Sequence, residues 1–281
     1  MDIVDAHHHL WDRGRFNYSW LQEVPAIDQD YLLADYESVI ADSGVVQSVH
    51  VQADVDAPWA LQETNWLLSM ADGAGPITAV VGWAPIESEK EMETFLEQHG
   101  DNPRLKGFRR LIQGEQDADF AASKSFVNGV RSLGEGGFSF DLCIYHDQLP
   151  AVIELARQVP EIPLVLDHIG KPNIAAGTLD PWQQQIRELA SMEHVYCKLS
   201  GMATEAEFSS WTVDQLRPFA DTVIEAFGFS RLMFGSDWPV STQAVDYRRW
   251  IDTVGELTSG ISAGERDAIM RGTATRFYRL G

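Results

Sequence analysis

Eight times along this chain, a short run rich in Val, Ile, Leu and Phe gives way to a segment with apolar residues at helical spacing. The runs are IVDAHHHL (3–10), VVQSVHVQA (45–53), ITAVVGWA (77–84), LKGFRRLI (105–112), FSFDLCIY (138–145), PLVLDHIG (163–170), VYCKLSGM (195–202) and RLMFGSDW (231–238). Segments such as ALQETNWLLSMA, QLPAVIELARQ and VDQLRPFADTVIEAF connect them and carry the 3.6-residue apolar period. Ser88-x-x-Glu91, Thr212-x-x-Gln215 and Ser262-x-x-Glu265 fit capping boxes at helix starts. Strands that alternate with helices pair in parallel through crossovers. Eight such units predict an α/β fold, a single (β/α)8 TIM barrel spanning residues 1–281, rather than an open sheet. The segment from Asp12 to Leu33 has no clear period; its aromatics Phe16, Tyr18 and Trp20 form a lid or cover the barrel.

Charge and composition narrow the partners. With 21 Lys and Arg against 42 Asp and Glu, the net charge is −21, which repels nucleic acid and anionic membrane surfaces. No signal-peptide pattern and no apolar run of about 18 residues occurs, so a cytoplasmic protein acting on a small molecule is expected, with self-association left open. Cys143 and Cys197 lie in apolar runs without CxxC spacing and read as buried free thiols.

A barrel of this kind collects its chemistry at the C-terminal ends of the strands, and there the ionisable residues gather. The first run ends in His7-His8-His9. Period-two alternation puts His7 and His9 on one face, with Asp5, and His8 on the other. Two imidazoles at i, i+2 converge as a divalent metal or a polarised carbonyl requires. His8 and His50 read as hydrogen-bonded packing residues. The fourth run supplies Arg109 and Arg110, of which at most one faces the mouth; the fifth ends in Tyr145-His146, the sixth in Asp167-His168 and the eighth in Ser236-Asp237-Trp238. Lys198 lies deep in the apolar seventh run, where an ammonium is costly unless paired or wet, and a place in the site is expected for it.

The stretches DAHHHLWD, KGFRRLIQ, DHIGKP, KLSGM and LMFGSDWPV resemble the amidohydrolase superfamily, within it the branch of sugar-lactone hydrolases that is close to the 2-pyrone-4,6-dicarboxylate lactonases. The likeness runs from the first strand to TATRFYRL. It implies a hydrolase that opens an aldonolactone such as L-fucono- or L-rhamnonolactone. His7, His9, His168 and Asp237 are its inner constellation, with Asp237 and His168 catalytic and Arg109, Tyr145, Lys198 and His146 at the substrate. One divalent ion, zinc, is expected on His7, His9 and Asp237, with His168, His146 or water as fourth ligand. The branch also has metal-free members, in which the imidazoles act as hydrogen-bond donors. Binuclear relatives carry a bridging Lys or Glu on strand 4 and a His on strand 5, where this chain offers Lys106 with two arginines, and Tyr145 with His146. Two other readings stay open: a metal-dependent decarboxylase of an unsaturated or aromatic acid, and a non-catalytic barrel that binds a sugar acid.

Overall fold

The computed structural model describes residues 1–281, apart from the side chains of Glu89 and Glu135. All eight apolar runs form strands: β1 (Ile3–His8), β2 (Val45–Val51), β3 (Ile77–Gly82), β4 (Leu105–Arg109), β5 (Ser139–Leu142), β6 (Leu164–Leu166), β7 (Val195–Leu199) and β8 (Leu232–Phe234). Each pairs in parallel with the next in chain order. The ring closes where His9 N–H donates to the Trp238 carbonyl at 2.7 Å and Asp237 N–H to the His7 carbonyl at 2.8 Å. The strands stop two to four residues short of the apolar runs. Those polar tails leave the ladder and become the loops of the mouth.

Inside the lower barrel, Val4, Ala6, Val49, Val51, Ala79, Val81, Val165 and Met233 pack together. The last helical segment, residues 263–277, brings Phe277 and Tyr278 against this cluster. Helices α1 (Leu33–Ile40), α2 (Ala60–Ala71), α3 (Glu89–His99), α4 (Lys124–Glu135), α5 (Leu149–Gln158), α6 (Trp182–Ala190), α7 (Val213–Phe227) and α8 (Tyr247–Leu257) form the outer layer over a second, larger apolar cluster. The capping boxes at Thr212 and Ser262 form, whereas Ser88 starts α3 without a side-chain bond. Residues 12–32 make a packed cover: Phe16, Tyr18, Leu21 and Ile27 are buried with Ala53 and Val55. Among the described residues no helix is long and apolar enough to cross a membrane. Both cysteines are buried and free.

One local irregularity decides what β1 offers. Its pairing with β2 steps from Asp5↔Ser48 to His8↔His50, which inserts one extra residue on β1, a bulge. The strict alternation expected over residues 5–9 therefore breaks. Asp5 does not share the face of His7 and His9. It turns outward and accepts hydrogen bonds from Tyr36 (3.0 Å), Tyr247 (2.8 Å) and Ser236 (2.6 Å). Past the bulge His7 and His9 face the barrel axis. His8 stacks on Tyr36 with ring centroids 3.9 Å apart, and its Nε2 meets Ser48 Oγ at 3.0 Å. His50 Nε2 accepts from Leu10 N–H at 2.7 Å. Both are packing residues.

Candidate active site

At the C-terminal end of the barrel, the His7 and His9 Nε2 atoms lie 3.2 Å apart. Asp237 Oδ1 stands 3.8 Å from His7 Nε2, 3.5 Å from His9 Nε2 and 3.8 Å from His168 Nε2. Burial holds all three imidazoles neutral at neutral pH. His9 falls to about 3, lowered further by Arg109. His168 falls to about 4 although Asp237 and Asp167 oppose the shift. His7 drops well below its ordinary value. Burial raises the Asp237 carboxyl, against the pull of His168, Lys171 and Arg109.

The His9 tautomer follows from its second nitrogen: Nδ1–H donates to the Val51 carbonyl at 2.8 Å, which leaves a lone pair on Nε2. His7 Nδ1 lies between Lys198 Nζ at 3.1 Å and Asp167 Oδ1 at 3.2 Å, and its Nε2 faces the His9 lone pair. The donor separations of 3.2–3.8 Å bracket the edge of a tetrahedral zinc site, about 3.4 Å for zinc–donor bonds near 2.0–2.1 Å. His7, His168 and Asp237 offer atoms within 4.8 Å of one another. The residues fit a divalent ion.

Two local devices hold these side chains. Residues His168 to Lys171 run through four successive left-handed positions, with φ of 53°, 51°, 73° and 46°. Left-handed conformations of non-glycine residues are strained and collect where function demands them. This turn is pinned by Lys171 N–H donating to the His168 carbonyl (2.9 Å), by Trp182 Nε1–H donating to the Ile169 carbonyl (2.9 Å), and by His168 Nδ1 against Ser200 Oγ (2.9 Å). The glycine in KLSGM, Gly201, has φ +62°, and a Cβ there would lie 2.7 Å from the His168 ring. In FGSDW, a Cβ on Gly235 would lie 2.8 Å from His7 Cβ. Both glycines leave room for a ligand.

Below the mouth lies a buried charge network. Lys198 Nζ pairs with Asp141 (2.5 Å) and Asp167 (3.0 Å) and lies 3.1 Å from His7 Nδ1. Tyr278 O–H donates to Asp141 at 3.0 Å from the closing segment. Burial alone would raise Asp167, but Lys198, His7 and Arg109 hold it well below the carboxylate range. Lys198 is fully buried and does not line the cavity. Arg109 does: its Nη1 pairs with Asp167 at 3.2 Å and approaches His7 Nε2 to 3.3 Å, while Nη2 donates to the Gln52 carbonyl. Arg110 faces away, paired with Glu87 and Glu115.

A cavity opens above His9, Arg109, His168 and Asp237. Trp20, Ala53, Leu111 and Val240 make its apolar wall. Tyr145 and His146, expected at the substrate, are not on this lining; Tyr145 is exposed and its ring lies 5.3 Å from Lys171 Nζ. Lys171, Gln113 and Asp54 line the cavity instead. Lys171 belongs to the DHIGKP stretch, and its place beside a Gly-Lys-Pro turn was the available signal. Nothing local marks Asp54 or Gln113.

The amidohydrolase family profile matches residues 4–280. The L-fucono-1,5-lactonase of Burkholderia multivorans is 34% identical over 295 residues, covering 99% of this chain and 96% of that protein. The L-fucono-1,5-lactonase of Burkholderia ambifaria is 32% identical and covers 99% and 95%. The crystal structure of an amidohydrolase from Burkholderia multivorans with bound zinc superposes with a TM-score of 0.91, at 34% identity over the whole of both chains. Matched from the first strand to the closing helix, the chain belongs to the amidohydrolase family.

Proposed function

We propose that this protein opens sugar-acid lactones, with L-fucono-1,5-lactone the first to assay, by attack of water on the ester carbonyl. The observation that carries this reading is the meeting of Asp237 with three neutral imidazoles, of which His9 and His168 line a cavity walled by Arg109 and Lys171. Full-length relatives named as L-fucono-1,5-lactonases support the substrate class. His7, His9 and Asp237 would hold one zinc ion with its fourth position open to water, and the ion when bound would supply Lewis-acid polarisation and a more acidic water.

Asp237 takes a proton from the attacking water and holds it on its carboxyl. Burial favours that protonated form. The ring C–O bond then breaks, the proton passes to the ring oxygen, and the open-chain hydroxy acid results. Charge building on the carbonyl oxygen faces Arg109, which Asp167 and Gln52 already hold in place, so no reorganisation accompanies the attack. His168, fixed by Ser200, orients the carbonyl. Lys198 acts one layer below, positioning His7 rather than touching substrate.

The test is acid release from a panel of aldonolactones, followed with a pH indicator with and without added zinc. Turnover of a neutral sugar lactone is expected. Saturable binding without acid release would leave a binding barrel, and carbon dioxide release from an unsaturated acid would leave a decarboxylase.

A further inference from the structure

Asp54 and Lys171 reach the cavity from opposite sides. They follow β2 and β6, which stand four places apart in a ring of eight strands. Both occupy left-handed backbone, with φ of 54° and 46°, a conformation that non-glycine residues rarely adopt. The Asp54 turn is clamped: its N–H donates to Gln52 Oε1 at 2.5 Å, and Gln52 Nε2 donates to the Arg109 carbonyl at 3.3 Å. The Asp54 side chain nevertheless makes no hydrogen bond or ion pair among the described residues. Lys171 Nζ has one hydrogen bond there, to Gln113 Oε1 at 2.6 Å, so two of its three donors have no protein partner.

An idle acceptor on one wall and idle donors on the other constrain what can lie between them. A lactone carrying a carboxylate or sulfonate brings its charge toward Asp54. A plain hydrocarbon lactone strips water from both groups and returns no hydrogen bonds. A neutral ring bearing hydroxyls satisfies both: its O–H groups donate to the carboxylate and its oxygens accept from the ammonium. Trp20 and Val240 offer apolar contact beside them.

We propose that Asp54 and Lys171 are a specificity-determining pair that reads hydroxyls across the substrate ring, selecting neutral polyhydroxylated lactones over anionic or bare ones. This deepens the lactone-hydrolysis reading and rests on it. The experiment compares wild type, Asp54→Gly (which keeps the left-handed backbone) and Lys171→Met on L-fucono-1,5-lactone, on unsubstituted δ-valerolactone and on a carboxylate-bearing lactone. A 1,5-anhydroalditol, a neutral cyclic polyol with no ester, is titrated calorimetrically into the same proteins. Asp54→Gly and Lys171→Met are expected to lower kcat/KM for the sugar lactone relative to δ-valerolactone by about 10–10²-fold, a ratio that cancels any effect of the lost Lys171 charge on Asp237. Asp54→Gly also gains activity on the carboxylate lactone, and both variants lose the anhydroalditol. Equal effects on sugar and bare lactones, or variants that bind the anhydroalditol as wild type does, overturn the pair. No turnover of any lactone, with the anhydroalditol bound by wild type and lost by the variants, overturns the hydrolytic reading and keeps the pair.

Discussion

The Asp237 carboxylate stands within 3.8 Å of three neutral imidazole nitrogens, and its replacement isolates its role. Asp237→Asn keeps the shape and removes the base; kcat is expected to fall on the order of 10²-fold or more with the unfolding transition intact. Near-normal turnover in that variant removes Asp237 from the chemistry. The spacing of the His7, His9 and Asp237 donors leads to a second expectation. Zinc titrated into chelator-treated protein binds and raises Tm, because it binds the folded state alone, whereas His9→Ala binds far more weakly. Equal zinc affinity in the two proteins would show that the ion lies elsewhere. At this scale the sequence was readable where period two holds: His7 and His9 face inward and His8 outward. It misled at Asp5, because a bulge has no local code, and at Lys198, because alternation tells which face a side chain takes but not how deep in the barrel it lies. Asp54 was invisible because its left-handed turn is imposed by Gln52 rather than by a glycine.

Among the elements, the turn after β6 carries the longest left-handed run of backbone and two of the cavity's side chains. Its four left-handed residues bring His168 and Lys171 to one cavity, and Gly201 on the turn after β7 makes room for the His168 ring. Gly201→Ala adds a Cβ at positive φ and 2.7 Å from that ring; a loss of roughly 1–3 kcal/mol is expected, with activity falling more than stability because His168 moves. A variant as stable and active as wild type would show that the turn relaxes freely. The eight strands were legible from apolar runs, but every run read two to four residues past the strand's C-terminal end. Residues such as Asp167, His168, Asp237 and Trp238 extend the runs because the mouth is buried too, so burial outlasts the hydrogen-bond ladder.

Across the whole molecule, the barrel is tied from bottom to top through one charge network, Tyr278 to Asp141 to Lys198 to His7. Removing its cation strands two buried carboxylates. Lys198→Met is expected to cost about 3–5 kcal/mol in denaturant unfolding, with partial recovery when Asp141→Asn is added; a loss below about 1 kcal/mol contradicts the network's weight. The cover is coupled to the barrel through Glu63, whose Oε1 accepts from Tyr18 O–H (3.1 Å) and Ala53 N–H (3.3 Å). Burial pushes Glu63 up to about 8 from an ordinary 4.5, against those two bonds. Between these values the folded chain holds a proton the unfolded chain has lost, so this residue makes stability fall as pH rises, by at most about 1.4 kcal/mol per unit. Glu63→Gln removes that slope, and urea midpoints from pH 5 to 9 should show the variant gaining on wild type up to about pH 8. Parallel curves contradict it. The whole account turns on ester hydrolysis at the mouth, and the most direct measurement is acid release from L-fucono-1,5-lactone by wild type and Asp237→Asn side by side. Catalysed release by wild type, cut at least about 10²-fold in the variant, is the predicted result. Release at the uncatalysed rate by wild type, or equal rates from the two proteins, contradicts it.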